Sequence, residues 1–306
     1  LLPSTRMSKS LPSRLRAVIS GALGQPVLAM AAPMPRGSLT TLEFDCALAV
    51  GTDEVSVLEE KLKTQVKSVL RSWRDRLHDT LSTHSRLPLW PRYENAFPAE
   101  YQERTDVAEA CRDIVSLEDA LGAGIAVRLV SGPGLRVKVF HSGAPVQLYR
   151  VLPILENMGG RIIGEHSVKL SPAGQAPVWV HDITIELEQV KADLDPATIE
   201  ESFSRLFLDL WSGIRENDGL NRLLFAAGLD SAQITILRAY SRYLRQIAPS
   251  MGIRTVERAL PAYPQVAATL ARLFREKFDP ALRHDRVASQ DALRKVLAGA
   301  LDAVVV

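Results

Sequence analysis

One short loop carries residues that could bind a small anion. The sequence HSGAP, residues 141–145, follows an extended segment and precedes a helical one. Its glycine lets another molecule approach the backbone closely, and the first N–H groups of a helix attract a carboxylate because they lack partners within the helix. We take Ser142, Gly143, Ala144 and Gln147 as candidate residues for binding an amino-acid effector, the alternative being a simple tight turn.

Two histidines are expected to lie side by side on neighbouring strands. If the loop at 171–176 closes an antiparallel hairpin, Leu170 pairs with Pro177, and His166 then lies opposite His181. Two imidazoles can hold a metal ion, but no third ligand occurs at a suitable spacing. We interpret them as a structural pair and predict no metal site.

Two further groups have both a structural and a binding interpretation. Arg238, Arg242 and Arg245 recur at helical spacing, as in a salt-bridged helix face or a nucleic-acid contact. An aromatic cluster could pack beneath a helix or stack against a ligand; its members are Trp90, Tyr93, Phe97 and Tyr101. Net charge favours the salt-bridged face for the arginines, and we expect the aromatic residues to be packed.

No cofactor or nucleophile motif occurs in the sequence. The glycine triplets at 122–124 and 132–134 lack the third glycine of a dinucleotide fingerprint, and no P-loop, HExxH or GxSxG motif is present. We therefore predict no catalytic and no cofactor-binding residue in this chain. Cys46 and Cys111 form no CxxC pair, which argues against a disulfide framework.

Composition argues against two classes of partner. The 306 residues include 37 Lys and Arg and 35 Asp and Glu, a net charge of +2, unlike the basic surface of a nucleic-acid-binding protein. No apolar run approaches the roughly 18 residues of a membrane helix, and no secretory signal opens the chain. These features predict a soluble, cytoplasmic protein. Leucine at position 1 and an uncapped apolar C-terminal pattern suggest a piece of a longer chain.

Hydrophobic periodicity predicts a mixed α+β chain. Strand patterns occur at 135–140, 161–170 and 178–187, and a helical pattern runs from Leu148 to the double glycine after Met158. A further helix is expected after the third strand, with an aspartate cap followed by proline. This order supplies five of the six elements of a ferredoxin-like βαββαβ plait.

The patterns divide the chain into four parts. Residues 1–87 give helix, strand, strand and a long helix from 53 to about 83, the order of a plait truncated at its front. Residues 88–130 form a helical connector, 131–216 the second plait, and 217–306 an all-helical segment. The predicted fold is therefore two plait modules, the first truncated, joined by helices and followed by a helical segment.

Several segments resemble one enzyme family, in the same order along the chain. They are RSWRDRLHDTL, RYENAFPAEYQE, ACRDIVSLEDAL, VLPILENMGGRIIGEH, VWVHDITIE and NRLLFAAGLDSAQITILRAYSRYLRQI. These motifs are similar to the non-catalytic N-terminal portion of the large bacterial NAD-specific glutamate dehydrogenases. The resemblance covers nearly the whole chain.

The resemblance implies that the plaits are ACT-type modules, which sense amino acids in other enzymes. It places NAD and the dehydrogenase site, which oxidises glutamate to 2-oxoglutarate and ammonia, in a domain further along the chain. The implied partners are that downstream catalytic domain, further copies of the chain in a homo-oligomer, and an amino-acid effector. A free-standing amino-acid sensor or scaffold is the alternative.

The resemblance also identifies local features of the second module. It places Pro153 inside the first helix of the module, where proline is expected to kink a helix. Gln147 and Arg150 stand where family members often carry a serine cap and an acidic residue. This departure weakens the helix cap and adds positive charge beside the HSGAP loop.

Overall fold

The computed structural model describes most of the chain, namely residues 2–3, 11–31, 33–46, 52–132, 134–247, 253–282 and 286–304. The chain divides into two units. The first comprises Leu1–Glu94 with Gln102–Cys111, and the second comprises Asn95–Tyr101 with Arg112–Val306.

The first unit combines helices with two small antiparallel sheets. Its elements are β1 (Leu2–Pro3), α1 (Leu11–Leu23), β2 (Val27–Met30), β3 (Met34–Arg36), β4 (Leu39–Thr41), β5 (Phe44–Cys46), α2 (Thr52–Leu70), α3 (Trp73–Thr83), a 3₁₀ turn (Leu87–Leu89) and α4 (Trp90–Tyr93). Strands β1, β4 and β3 form one sheet in that order, and β2 pairs with β5. The plait expected in residues 1–87 is not confirmed by this arrangement and stays a prediction.

The long helix expected from 53 to about 83 is in fact two helices. α2 ends at Leu70, and α3 begins at Trp73 with Ser72 as its cap. The Ser72 hydroxyl accepts the N–H of Asp75 at 3.0 Å, and the Asp75 carboxylate accepts the N–H of Ser72 at 3.0 Å. This reciprocal capping box starts a new helix, and the Ser-x-x-Asp spacing is its signal in the sequence.

The second unit contains a four-stranded antiparallel sheet. Its elements are α5 (Ala99–Arg104) and α6 (Val107–Ala123), which both pass between the units, then β6 (Ile125–Val130), β7 (Leu135–Ser142), α7 (Leu148–Asn157), β8 (Gly160–Leu170), β9 (Val178–Leu187), α8 (Pro196–Trp211), a 3₁₀ turn (Gly219–Arg222), α9 (Leu223–Ala227), α10 (Ser231–Ile247), α11 (Ile253–Ala262), α12 (Pro264–Phe278) and α13 (Arg286–Asp302). The strand order is β6-β7-β9-β8. The predicted elements β7, α7, β8, β9 and the Asp195-capped α8 are confirmed.

Strand β6, which precedes the other strands in the chain, completes this sheet. Residues 125–130 were expected to belong to a helical connector, but they pair with β7 from Ile125 opposite His141 to Val130 opposite Arg136. In a βαββαβ plait the last strand lies beside the first. Here β6 fills that position although it precedes β7, so the chain order of the module is ββαββα.

The double glycine after α7 meets two separate requirements. Gly159 has φ +89°, a left-handed conformation that other residues rarely adopt. A Cβ atom on Gly160 would lie 3.2 Å from the carbonyl oxygen of Leu155 and 3.4 Å from a methyl carbon of Ile185. The first glycine therefore permits the turn, and the second permits close packing between α7 and the sheet.

One face of the sheet shares a single hydrophobic core with the helices. Strands β6, β7 and β9 contribute apolar side chains to it, as do α7 and α8. Helices beyond residue 216 contribute to the same core, through Leu223, Leu224, Ile234 and Ala267. The plait and the helical segment are thus packed together rather than folded around separate cores.

Helix α10 contributes to this core mainly through its first half. The helical spacing of its apolar residues predicts that Ile234, Leu237, Tyr240, Leu244 and Ile247 all face inward. Ile234 and Leu237 are buried, but for the other three the prediction was wrong, because they are exposed. Tyr240 contacts the edge of an aromatic ring in α12 and is still 46% exposed. An apolar stripe identifies a helix face but does not show where its packing partner ends.

The opposite face of the sheet contains a buried ion cluster. Lys138 on β7 is 1% exposed, and its Nζ lies 2.7 Å from a carboxylate oxygen of the fully buried Asp113 on α6. Arg128 on β6 binds the other oxygen of the same carboxylate, and the Tyr101 hydroxyl donates at 2.5 Å to the oxygen that Lys138 contacts. These contacts offset the cost of burying an ammonium group between the sheet and the helices.

We predict that replacing the shared carboxylate destabilises the protein strongly. Asp113→Asn leaves Lys138 and Arg128 facing a neutral amide, and the expected loss in free energy of unfolding is about 3 to 5 kcal/mol. Urea denaturation of the 306-residue chain measures it. The control is Glu201→Gln, which breaks the exposed Glu201–Arg205 pair and should cost about 0.5 kcal/mol or less. Equal losses for the two variants would contradict the prediction.

The cap of α8 predicts a dependence of stability on pH. The Thr198 hydroxyl and then its backbone N–H donate to the carboxylate of Asp195 and hold the pKa of that group below its usual value. A lowered native pKa means that the charge stabilises the fold above the unfolded pKa of about 3.9, and that this effect is lost as pH falls through the native value.

Asp195→Asn should therefore lower the melting temperature at neutral pH, and the difference from the unmodified chain should disappear in strong acid. Thermal melts followed by circular dichroism across this pH range give the comparison. Asp193→Asn removes the same charge two residues earlier and should show no such convergence. A temperature difference for Asp195→Asn that stays constant down to strong acid would refute this explanation.

Candidate functional site

The HSGAP loop joins the end of β7 to the start of α7. Ser142 ends the strand, and Gly143 turns the chain with φ +87°. Gln147 is the N-cap residue, in an extended conformation and without a side-chain hydrogen bond to the helix. The structure thus brings Ser142, Gly143, Ala144 and Gln147 into one turn at a helix N-terminus, where the sequence analysis placed them.

Some N–H groups of this loop are used within the protein. Ser142 donates to the carbonyl of Gly124 at 2.9 Å, and Gly143 donates to the carbonyl of Pro177 at 2.8 Å. For Ala144 and Gln147, no acceptor of the backbone N–H lies within the described residues. Two donors are therefore available for a ligand, and that of Gln147 directly precedes the positive end of α7.

Two imidazoles hold the loop from either side. His141 Nδ1 lies 2.8 Å from the carbonyl oxygen of Ala144, to which it donates. The buried N–H of Val146 donates to Nε2 of His181 at 3.1 Å. On its other side, His181 Nδ1 lies 2.8 Å from a carboxylate oxygen of Glu165 on β8. The conformation of the loop thus depends on side chains from two neighbouring strands, β7 and β9.

A positive charge lies in the first turn of α7. The guanidinium of Arg150 stacks on the indole of Trp211 at 3.8 Å, and His141 contacts the same indole with ring centroids 6.2 Å apart. The side chain of Gln147 accepts a hydrogen bond from the Tyr149 hydroxyl at 2.6 Å. Together with the helix dipole, Arg150 makes this end of the module favourable for an anion.

The predicted pairing of two histidines was wrong by one residue. Leu170 pairs with Val178 rather than Pro177, so Ser167 lies opposite His181, and His166 lies opposite Asp182. Since successive residues of a strand point to opposite faces, the two imidazoles lie on different sides of the sheet. No group of three His, Cys, Asp or Glu residues suited to a metal occurs in the part of the chain that the structure describes.

The roles of His181 and Glu165 were missed because the predicted register separated them. In the sequence, Glu165 and His181 lie 16 positions apart within two strand patterns. A hairpin loop one residue longer would have placed them on the same face. The alternation of residues within each strand could be read from the sequence, but the length of the hairpin loop, which sets the register between the two strands, could not.

Two arginines of the α10 stripe, Arg238 and Arg242, are salt-bridged, and Arg245 is exposed, in agreement with a solvated or salt-bridged helix face. Arg238 is buried and makes two hydrogen bonds to Asp218, at 2.6 and 2.9 Å, while Arg242 pairs with Glu216. The guanidinium of Arg238 also donates to the side chain of Asn221 at 3.0 Å. These contacts connect α10 to the turn that follows α8.

Three of the four residues of the aromatic cluster follow the packing interpretation, and Trp90 is partly exposed. Tyr93, Phe97 and Tyr101 are buried. Within the second unit, Phe97 and Tyr101 stack with ring centroids 4.9 Å apart. None of these three rings offers an open face for stacking a ligand.

A second concave region lies beside the double glycine. This cleft, of about 690 Å³, lies between the end of α7, the end of β9 and α11, and its lining includes Gly159, Glu188 and Arg222. The charges of Glu188 and Arg222 are already paired at 2.6 Å. The cleft therefore offers weaker recognition of an anion than the HSGAP loop does. None of the described helices is long and apolar enough to cross a lipid bilayer.

Comparison with known families accounts for three consecutive parts of the chain. Residues 77–120 match the model of glutamate dehydrogenase helical motif 2, residues 129–199 match the glutamate dehydrogenase ACT3 domain, and residues 215–280 match glutamate dehydrogenase helical motif 3. The ACT3 match contains the HSGAP loop, both histidines that hold it, and Glu165.

Relatives over most of the chain carry one name. The chain is 35% identical over 240 residues to the NAD-specific glutamate dehydrogenase of Halomonas elongata, covering 75% of this chain and 14% of that protein. It is 31% identical over 257 residues to that of Pseudomonas aeruginosa, covering 80% and 16%, and 26% identical over 243 residues to that of Mycobacterium tuberculosis, covering 76% and 15%. The chain thus spans about one seventh of the length of these relatives.

The order of the three matched segments and the extent of these similarities agree with the motifs and with the sheet of the second unit. The chain therefore belongs to the NAD-specific glutamate dehydrogenase family, in which it corresponds to an N-terminal region with an ACT3 domain between two helical motifs.

Proposed function

We propose that this chain is a regulatory and assembly segment of an NAD-dependent glutamate dehydrogenase and has no catalytic residues of its own. Its relatives are named NAD-specific glutamate dehydrogenases. The proposed reaction of the full-length enzyme is the conversion of glutamate to 2-oxoglutarate and ammonia. The catalytic domain and the NAD site belong to a later part of the same polypeptide. That domain is the first partner of the segment, in the cytoplasm, where the soluble enzyme acts.

The HSGAP loop is the observation that carries the regulatory part of the proposal. The N–H groups of Ala144 and Gln147 have no internal acceptor among the described residues, and Arg150 adds positive charge in the first turn of α7. A carboxylate of an amino acid would accept from these donors. The hydroxyl of Ser142 and the side-chain oxygen of Gln147 would accept from its ammonium group.

The shared core gives a route from this loop to the rest of the enzyme. α7 packs against the sheet and α8, and the helices after residue 216 pack into the same core. A ligand that stabilises the first turn of α7 would therefore also stabilise the packing of the helical segment. Coupling of this kind requires that the ligand bind one arrangement of the helices more tightly than another.

The outer edges of the sheet support the assembly part of the proposal. Strands β6 and β8 are the edges, and within the described residues no further strand pairs with either. Such edges can pair with another chain or be covered by one. We expect the enzyme to be a homo-oligomer in which these modules contribute contacts.

We predict that Gly143→Val weakens the amino-acid response of the full-length enzyme and leaves NAD affinity unchanged. A branched side chain at φ +87° would distort the turn and block the exposed N–H groups. The measurements are amino-acid titrations of enzyme activity and of the isolated chain by calorimetry, with a weakening of at least about tenfold expected, which is about 1.4 kcal/mol.

Gly37→Val is the matched control for this variant. Gly37 also has positive φ, at +63°, and its added Cβ would meet no atom within 4 Å, as at Gly143. The backbone strain is therefore comparable, but Gly37 lies in the first unit, outside the proposed site. Identical effector titrations of the unmodified and Gly143→Val enzymes would rule out the HSGAP loop as the effector site.

The second prediction is that the isolated chain does not reduce NAD in the presence of glutamate. The physical reason is the lack of a dinucleotide loop and of a catalytic constellation in its sequence. Absorbance of NADH is followed with a pure sample, and the full-length enzyme is the positive control. Turnover by the isolated chain would refute the non-catalytic assignment.

A further inference from the structure

One buried histidine connects the HSGAP loop to two strands of the sheet. His181 is 4% exposed and lies on β9, on the face of the sheet that carries α7. Its Nε2 accepts the N–H of Val146, one residue before the N-cap of α7, and its Nδ1 contacts Glu165. Both ring nitrogens are therefore occupied, each by a group from a different element.

These contacts define the protonation state of the ring. A backbone N–H can only donate, so Nε2 must be the unprotonated nitrogen that accepts from Val146. The proton of the neutral imidazole then lies on Nδ1 and is donated to the carboxylate of Glu165. Glu165 thereby selects the tautomer in which His181 can hold the loop.

We propose that His181 is the positioning residue of the HSGAP loop and holds it in place only while its imidazole is neutral. A second proton would turn Nε2 into a donor that faces the N–H of Val146. Val146 is 5% exposed, so its N–H would lose its acceptor in a place that water reaches poorly. The loop and the first turn of α7 must then move away from β9.

The other histidine of the loop behaves differently on protonation. His141 donates from Nδ1 to the carbonyl of Ala144, and an imidazolium keeps that N–H. Acidification therefore breaks the contact of His181 and preserves that of His141. The two imidazoles are equally near the loop, but one alone makes its conformation dependent on pH.

Of the elements packed near His181, β8 and α7 carry charged groups. On β8, Glu165 accepts from the ring, and Lys169 lies further along the same face. On β7, the residue opposite His181 is Val139, which carries no charge. On α7, Arg150 stacks on Trp211 of α8. Glu165 is thus the carboxylate that contacts the ring, and an imidazolium would keep the Nδ1–H that it donates to Glu165.

The consequence for ligand binding rests on the proposed function. If the N–H groups of Ala144 and Gln147 bind an amino acid, lowering the pH weakens that binding because the turn that presents them is released. Affinity should then fall about tenfold when His181 becomes charged, which corresponds to about 1.4 kcal/mol. The movement of the loop itself does not require a ligand.

Nitrogen and proton NMR of the labelled 306-residue chain tests the inference directly. The ring nitrogens of His181 and the amide of Val146 are followed from about pH 8 to pH 5, the range in which imidazoles change charge. We expect an unprotonated Nε2 at the upper limit, and an amide shift that follows the protonation of His181 with the same midpoint.

Two matched variants separate positioning from a general structural role. His181→Gln provides a side-chain oxygen that can accept from Val146 but does not titrate, so the amide should keep its position and lose its pH response. His141→Gln keeps a donor for the carbonyl of Ala144, so the response of Val146 should remain. A proton on Nε2 at pH 8, an amide that ignores the charge of His181, or a pH response that survives in His181→Gln would overturn the inference.

Calorimetry with amino acids at both ends of this pH range separates the two proposals. Absence of binding at either pH, with a Val146 amide that follows His181, would refute the effector site and leave the positioning role intact. Binding of equal strength at both pH values, with a charged His181 at the lower one, would refute the positioning role and leave the effector site intact.

Discussion

The buried ion pair between Lys138 and Asp113 is the interaction on which the second unit depends. β7 is the strand that connects both halves of the sheet, and its residues 137–140 are buried, so side chains of both faces are covered. An apolar residue at position 138 would meet that requirement more simply. With lysine there, the position of α6 is restricted, because its carboxylate must reach the ammonium and the guanidinium of Arg128 together. The pair therefore specifies how α6 lies on the sheet, in addition to any stability that it supplies.

Burial of β7 on both sides has a direct effect at its C-terminal end. The strand carries His141 and leads into Gly143, while its neighbour β9 carries His181 opposite Val139, two positions further from the loop than His141. Packing on both faces of the sheet fixes the ends of both strands in register. The positions of the two imidazoles relative to the turn are therefore fixed as well. A loop on a sheet with one open face would lack this constraint. The core that supports β7 also includes α8, whose Trp211 stacks on Arg150. The turn is thus exposed to solvent, and the strands and helix that carry it are packed on the hydrophobic core.

The sequence predicts the second module well because its elements follow simple rules. β7, β8 and β9 alternate apolar and polar residues, and the Asp195–Pro196 pair marks the start of α8. Three features escaped this reasoning for physical reasons. The run from Ile125 to Val130 is short and apolar and follows a helix, so neither its strand pairing nor its place beside β7 is encoded locally. Lys138 fits the polar positions of a half-exposed strand, and nothing near it in the chain reveals Asp113. The hairpin register depends on loop geometry, and an error of one residue exchanged the faces of the histidines.

The turn before α7 was predicted from the sequence, whereas the side-chain contacts that hold it were not. This difference has a general cause. A glycine before a helix is a local signal, whereas a histidine that accepts from a backbone N–H depends on a contact across 35 residues of sequence. The family resemblance did not supply that contact either, because similar motifs do not show which ring nitrogen of a histidine accepts a hydrogen bond. It did identify Gln147 and Arg150 as departures. The structure gives them a consistent meaning: the side chain of Gln147 accepts no N–H of the first turn of α7, whose Arg150 N–H donates to the Gln147 carbonyl, and the guanidinium of Arg150 adds positive charge at this end of the helix. A weak cap costs helix stability, but without a capping side chain or an acidic residue in the first turn, no group of the helix itself competes with an anion for the positive end of α7.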